Sequence, residues 1–239
     1  MRILITNDDG IHSPSLLALA KWAQSKGDVT IVAPKREQSG KSQSIDIFHP
    51  FEIKPVDLLP GVRCYQLDST PADCVRFAIL GLEENFDLVL SGINKGFNIG
   101  QDIIYSGTVG ACFEAVGLGS KAVAISTDPA DYRSAVEALE DVYGYFQQRN
   151  LLQYNDIYNV NIPLNRKDIR ITRQGGPYYQ DHFISIGEDM YQQNGYCCYV
   201  PSDDMTLDTD AVMNHYVSIT PLTVDRTNRT VYDLLQGQE

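Results

Sequence analysis

Four apolar runs between residues 2 and 127 constrain the fold more than any other feature. Each is short and ends at a polar or glycine-rich turn, as expected of buried parallel strands. Segments with helix signals lie between them, and strands alternating with helices predict an α/β fold. We expect a mostly parallel sheet with helices on both faces. The runs are residues 2–6 (RILIT), 28–34 (DVTIVAP), 86–92 (FDLVLSG) and 121–127 (KAVAIST).

Helix starts are marked by a hydroxyl cap, twice with proline at the first helical position. Thr108 is read as the cap of a third helix, and helical periodicity alone predicts a fourth. A Gly- and Asn-rich stretch, residues 93–107, is expected to be a loop. Three helices are expected to start at Ser13-Pro14, Thr70-Pro71 and Thr108, and the fourth is expected to cover 130–148. Further extended runs are expected at 45–54 and 62–68.

The residue composition and the predicted secondary structure change after about residue 156. Residues 169–200 are rich in Tyr, Gln and Gly and predict an extended hairpin arm that packs on a neighbour. Residues 215–222 (HYVSITPL) predict a final strand, and residues 224–239 a short polar tail. We divide the single domain 1–239 into a core, 1–162, and a C-terminal extension, 163–239.

Composition excludes several classes. The net charge of −12 over 239 residues argues against binding of long nucleic acid or anionic membranes. No apolar run approaches the roughly 20 residues of a membrane helix, and MRILIT is too short for a secretory signal. Five cysteines, odd in number and without metal-site spacing, are expected to be reduced thiols in the cytoplasm.

Asp8 and Asp9 follow directly on the first run. Adjacent carboxylates repel each other unless a cation lies between them. Alone, Asp8-Asp9-Gly10 is also compatible with a polar turn in which Gly10 supplies a positive φ. Its position after the first strand favours a ligand site, because ligands bind beyond the carboxyl ends of strands in such sheets.

Ser39 and Asn94 lie at the ends of two other strands and offer neutral oxygens. Oxygen ligands without Cys or His suit Mg²⁺ or Mn²⁺ and suit zinc badly. We therefore expect one divalent cation per subunit at Asp8, Asp9, Ser39 and Asn94.

The loop SGINKGFNIG, residues 91–100, has three glycines that let backbone N–H groups approach an anion. Tyr105-Ser106-Gly107-Thr108 then leads into a helix, so its hydroxyls and free N–H groups predict a phosphate cradle.

Taken together, these stretches resemble the SurE family of metal-dependent nucleotidases. The matching segments are ILITNDDGIHSP, VAPKREQSGKSQSI, STPADCV, LVLSGINKGFNIGQDIIYSGTVGA, TRQG and YVSITPL, which recur in order along nearly the whole chain. The chain departs from the family pattern at Asp46, Ser69 and His215, where Thr or Ser, Gly, and Gly are usual.

The resemblance implies a Rossmann-like domain whose C-terminal extension forms a homodimer or homotetramer by exchanged segments. It implies hydrolysis of nucleoside 5′- and 3′-monophosphates, with short polyphosphate as a further substrate in some members. It carries Asp8, Asp9, Ser39 and Asn94 over as metal ligands. Asn98, Ser106, Gly107 and Thr108 would line the phosphate side. In-line attack by an activated water is expected, with Asp8 or Asp9 accepting the proton; the sequence leaves open which.

Three alternatives compete with this hypothesis. A phosphatase with an aspartyl-phosphate intermediate needs Asp-x-Asp, and here Asn7, a poor nucleophile, stands two residues before Asp9. A non-catalytic, metal-dependent nucleotide sensor would use the same ligands, and no motif separates binding from turnover. A purely structural reading leaves the convergence of oxygen ligands at several strand ends unexplained.

Overall fold

The computed structural model describes residues 1–237 and contains a nine-stranded sheet and a separate hairpin. The strands are β1 (Arg2–Thr6), β2 (Asp28–Pro34), β3 (Ile53–Pro55), β4 (Arg63–Leu67), β5 (Leu88–Lys95), β6 (Lys121–Thr127), β7 (Ile157–Ile162), β8 (Ile169–Ile171), β9 (Tyr179–Gly187), β10 (Met190–Cys197) and β11 (Val217–Pro221). The α-helices are α1 (Pro14–Ala23), α2 (Pro71–Arg76), α3 (Gly107–Gly117), α4 (Arg133–Gln148), α5 (Leu151–Tyr154), α6 (Asp208–Met213) and α7 (Arg229–Gln236).

The sheet runs in the order β3-β4-β2-β1-β5-β6-β7-β11-β8. The six strands from β4 to β7 are parallel to one another. Strands β3 and β11 each pair antiparallel with a neighbour, and β8 runs parallel to β11. The expected α/β fold with a mostly parallel sheet is therefore confirmed.

Two apolar cores lie on opposite faces of the sheet. On β1, Ile3 and Ile5 face a core shared with α1 and α4, whereas Leu4 faces a core shared with α2 and α3. All three side chains are buried. Because successive strand residues point to opposite faces, an uninterrupted apolar run such as RILIT requires a covering layer on each side.

The structure corrects the expected elements around the site. Of residues 45–54, only the last two enter a strand, because β3 covers Ile53–Pro55. Strand β5 continues to Lys95, so Asn94 lies in a strand rather than in the expected loop. Residues Gly100–Tyr105 form a 3-10 helix, and Phe77–Gly81 extend α2 by a π-helical turn.

The expected cap of α3 was wrong by two residues. Ser106 caps the helix, its Oγ accepting a hydrogen bond from the backbone N–H of Val109 at 3.1 Å, and Thr108 lies within the first turn. Both residues carry a hydroxyl, so the sequence does not show which one caps the helix. The cap is decided by where the backbone becomes helical, which is after Ser106.

The C-terminal region contains the expected hairpin and two helices that were not expected, α6 and α7. Strands β9 and β10 pair antiparallel, and every one of their residues is exposed. The expected polar tail contains α7, none of whose residues is buried. The division at residue 162 stays a prediction, and the last two residues of the predicted extension, 238–239, lie outside the described part. No helix within residues 1–237 is long and apolar enough to cross a bilayer.

Candidate active site

A tight turn after β1 presents the two carboxylates. The Asn7 side chain closes it, donating from Nδ2 to the Gly10 carbonyl at 3.0 Å and accepting from the Gly10 N–H at 3.2 Å. Gly10 has a φ of +98°, which glycine adopts without steric cost. Asn7 is therefore a structural member of the turn.

Asp8 is buried, and its side chain meets the start of α3. The Thr108 Oγ1 donates to Asp8 Oδ1 at 2.5 Å. Gly107 lies so close that a Cβ there would be 3.0 Å from the Asp8 Cβ. Burial raises the pKa of Asp8 to about 6; the hydrogen bond from Thr108 opposes this, and the Asp9 charge adds to it.

Asp9 has an unsatisfied oxygen. Its Oδ2 is buried and has no hydrogen-bond partner. Burial raises the pKa of Asp9, the Lys95 backbone N–H and charge lower it, and the Glu37 charge raises it again. A buried carboxylate oxygen without a partner is costly, so this atom points to a missing cationic or donor partner.

The other two expected metal ligands lie on neighbouring segments. The loop after β2 is tied to the acidic turn by the Gln38 N–H, which donates to the Asp8 carbonyl at 2.7 Å. Ser39 follows Gln38, is exposed, and donates to Glu37 Oε1 at 2.8 Å. Asn94 precedes Lys95 and donates from Nδ2 to the Gly96 carbonyl at 2.8 Å, which leaves its amide oxygen for another partner.

The side-chain oxygen atoms of Asp8, Asp9, Ser39 and Asn94 fit a hard divalent cation. Within residues 1–237 no group of three or more His, Cys, Asp or Glu converges, so two carboxylates would need neutral oxygen partners. Ser39 and Asn94 are of that type. The raised pKa values of Asp8 and Asp9 reflect the cost of burying adjacent carboxylates, a cost that a bound cation reverses.

The expected phosphate-side residues take different roles. Ser106 is the helix cap, Gly107 packs on Asp8, and the Thr108 hydroxyl is already engaged by Asp8. The first N–H groups of α3, which an α-helix leaves unpaired, lie next to the acidic pair. Asn98 lies on a different segment, and its Nδ2 donates to Ser126 Oγ at 2.7 Å.

Sequence reasoning missed the residues that hold Asn98. Two buried asparagines on β7 enclose its backbone: Asn161 Oδ1 accepts the Asn98 N–H at 2.9 Å, and the side-chain nitrogens of Asn159 and Asn161 donate to its carbonyl. Alternate asparagines in the apolar strand IYNVNI were the available signal, because buried polar side chains need partners. Lys95 was also missed, since nothing in the sequence places its charge beside Asp9.

Comparison with known proteins identifies the family. The family model described as "Survival protein SurE" matches residues 3–181. This chain belongs to the SurE family. A SurE relative from Herpetosiphon aurantiacus, described as "5'-nucleotidase SurE", is 38% identical over 95% of this chain and 94% of its own length. One from Thermoanaerobacter sp., described in the same words, is 36% identical over 99% of this chain and 98% of its own length.

The SurE fold is shared as well. The crystal structure of the SurE protein from Aquifex aeolicus has a TM-score of 0.81 to this chain at 32% identity, covering 100% of this chain and 99% of that one. His215, a position expected to depart from the family pattern, has a φ of +67°, a region that glycine occupies more easily.

Proposed function

We propose that this SurE chain is a metal-dependent phosphomonoesterase that hydrolyses nucleoside 5′- and 3′-monophosphates to nucleoside and phosphate. One observation carries the proposal: Asp8, held by Thr108, places the acidic pair directly at the N-terminus of α3. Carboxylates that attract a cation thus lie beside N–H groups that attract an anion. The relatives described as 5′-nucleotidases support the same substrate class.

Asp8, Asp9, Ser39 and Asn94 would hold one Mg²⁺ or Mn²⁺. Such an ion, when bound, supplies positive charge for the phosphate oxygens and lowers the pKa of a water molecule. The chain itself fixes the geometry. Thr108 orients Asp8, Asn7 closes the turn, and the Gln38 N–H holds the loop that carries Ser39.

The N-terminus of α3 would bind the phosphate. The backbone N–H groups at Gly107 and Thr108 would stabilise the charge that develops on its equatorial oxygens. Gly107 suits this position because any side chain there would press on Asp8. Asn98, fixed by Asn159, Asn161 and Ser126, would be a further phosphate-side residue.

The assembly and compartment are proposed on other observations. The β9–β10 hairpin exposes Phe183, Ile186 and Tyr191, and a two-stranded hairpin alone is marginally stable in water. A homodimer or homotetramer built through the C-terminal extension would cover these side chains. All five cysteines are free, in keeping with a reducing cytoplasm.

Phosphate release from 5′-AMP, 3′-AMP and short polyphosphate tests the proposal, each measured with Mg²⁺, with Mn²⁺ and with EDTA. Metal-dependent release from the nucleotides is expected. The release rates show which phosphate position and which metal ion give the highest activity. Metal-dependent nucleotide binding without release would favour the sensor alternative. If metal affects neither nucleotide binding nor phosphate release, the acidic pair is only a polar turn and the proposed function is wrong.

A further inference from the structure

A buried carboxylate outside the acidic pair holds the segment that leads into α3. Asp208, the first residue of α6, is fully buried. Both of its carboxylate oxygens accept the backbone N–H of Gly100 at 3.1 Å, and Oδ1 also accepts the N–H of Gly175 at 2.8 Å. Asp208 and Gly100 are 108 residues apart in sequence. The carboxylate therefore ties the C-terminal extension to the 3-10 helix that begins at Gly100.

The segment held in this way has a proposed phosphate-side residue near each end. Asn98 lies two residues before Gly100, and Ser106 follows directly on the 3-10 helix Gly100–Tyr105. Gly100 has a φ of +61°, and a Cβ there would overlap the carbonyl oxygen of Gly176. The path of the chain from Asn98 to α3 is therefore packed closely against the extension.

Further hydrogen bonds join the same two segments. Gln174 donates from Nε2 to the Gly100 carbonyl at 2.9 Å. The backbone N–H of Gln101 donates to the Gly176 carbonyl at 3.1 Å. Asp208 accepts an N–H from each segment, so its removal would leave a donor without an acceptor on both sides of the contact.

We propose that Asp208 is a positioning residue for phosphate binding. By holding the Gly100 N–H, it sets the positions of Asn98 and of the N-terminus of α3 relative to the acidic pair. Asp208 acts through the backbone rather than by contact with the phosphate. The inference rests on the proposed function, in which Asn98 and the start of α3 bind the phosphate. It gives the C-terminal extension a role in the active site in addition to the proposed assembly.

The variants separate positioning from a general loss of stability. Asp208→Ala removes the hydrogen bonds, whereas Asp208→Asn keeps Oδ1 as an acceptor for both N–H groups. Asp210→Ala is the matched control, because Asp210 lies on the same helix and is also buried. Its Oδ1 accepts the backbone N–H groups of Ser202 and Asp203, at 2.8 and 3.0 Å, which lie outside the phosphate-side segment. Both alanine variants should therefore unfold at lower urea concentrations than wild type.

Three quantities are measured on the full chain: kcat/KM for 5′-AMP, the calorimetric Kd of inorganic phosphate in the presence of Mg²⁺, and the Kd of Mn²⁺ alone. In Asp208→Ala, phosphate binding should weaken and kcat/KM should fall, each by roughly tenfold. The affinity for Mn²⁺ should be unchanged, because the proposed metal ligands lie on other segments. Asp208→Asn should stay within about threefold of wild type, and Asp210→Ala should match wild type in all three quantities.

The outcomes distinguish this role from the proposed function. Hydrolysis of 5′-AMP by wild type, with phosphate affinity equal in Asp208→Ala and Asp210→Ala, would overturn the positioning role and leave the proposed function standing. Weaker phosphate binding confined to Asp208→Ala, in a protein that releases no phosphate, would retain the role and reject the proposed function. If Asp208→Asn loses as much affinity as Asp208→Ala, the charge decides rather than the hydrogen bonds, and the route through Gly100 is wrong.

A variant at an exposed position tests the same contact if Asp208→Ala does not fold. Gln174→Ala removes only the hydrogen bond to the Gly100 carbonyl. Its phosphate affinity should fall by about two- to fivefold, with the affinity for Mn²⁺ unchanged. Phosphate affinity equal to that of wild type would overturn the inference that the extension positions this segment.

Discussion

Thr108 donates a hydrogen bond to Asp8 across 100 residues of sequence, at 2.5 Å, and both side chains are buried. This contact joins the end of β1 to the start of α3. It places the proposed cation site, at Asp8, directly beside the proposed phosphate site, at the N-terminus of α3.

Replacing Thr108 by valine should lower kcat/KM for 5′-AMP by roughly ten- to hundredfold. Valine keeps the shape but removes the donor, and a hydrogen bond to a charged group contributes about 1.5–3 kcal/mol. Steady-state phosphate release measures the effect. Thr108→Ser, which retains the hydroxyl, should stay near wild type. Equal activity in Thr108→Val and wild type would show that the bond to Asp8 is dispensable.

Gly110 should tolerate no side chain, although it lies away from the proposed ligands. A Cβ there would overlap the backbone of Ser42 and Gln43, in the loop that also carries Ser39. We expect Gly110→Ala to lower the free energy of unfolding by about 1–3 kcal/mol, because forcing atoms into a packed contact displaces the loop.

Gly117 on the same helix provides the control for Gly110, since nothing lies within 4 Å of its Cβ position. Gly117→Ala should be neutral or stabilising by up to about 1 kcal/mol, from helix propensity alone. Urea unfolding followed by circular dichroism compares the two variants. Similar stabilities for both would contradict the close packing of the loop on α3.

The region around Asp208 should give stability a defined dependence on pH. Asp208 accepts hydrogen bonds from the N–H groups of Gly100 and Gly175, yet burial dominates and raises the pKa of this carboxyl above its ordinary value of 3.8. The folded chain therefore holds this proton more tightly than the unfolded chain. The contribution of Asp208 to stability is fully present below pH 3.8 and is lost as pH rises through the raised pKa.

The unfolding free energy of Asp208→Asn should therefore fall less with rising pH than that of wild type. The comparison is made by urea unfolding at several pH values above 3.8. Asp225→Asn should act with the opposite sign, because hydrogen bonds from Thr227 and Arg229 lower the pKa of Asp225 to about 2. If the unfolding free energy of wild type minus that of Asp208→Asn rises with pH or stays flat, the assigned direction is wrong.

A divalent cation should stabilise the folded protein. Mn²⁺ at about 100 times its Kd should add about 2.7 kcal/mol through preferential binding to the folded state. Differential scanning fluorimetry with Mn²⁺ and with EDTA measures the shift in Tm. Asp9→Asn should abolish the shift, whereas Asp57→Asn, at an exposed position after β3, should retain it. A shift of equal size in Asp9→Asn would place the cation elsewhere.

The parallel core could be predicted from sequence because each strand is a local apolar run buried on two faces. β1, β2 and β6 match the predicted runs, and β5 starts within the third and extends past it. The acidic pair was also predictable, because sheet topology fixes where the end of β1 lies. The role of the Thr108 hydroxyl could not be assigned locally, because its partner, Asp8, lies in the turn after β1, 100 residues away in sequence.

Other features depend on contacts distant in sequence. The partners of Asn98 lie 28 to 63 residues away, and their pairing follows only once β6 and β7 are placed side by side. Helix α7 is a different case. Its apolar residues Val231, Leu234 and Leu235 follow helical spacing and were readable in the sequence.

The most direct test of the account is phosphate release from 5′-AMP by wild type and Asp9→Asn, each with Mn²⁺ and with EDTA. The account predicts turnover in wild type with Mn²⁺ and almost none in the other three conditions. Asp9 is chosen because its Oδ2 is buried without a partner, so its replacement removes the least from the folded structure. Near-normal turnover by Asp9→Asn with Mn²⁺, or by wild type in EDTA, would contradict a metal-dependent site at the end of β1.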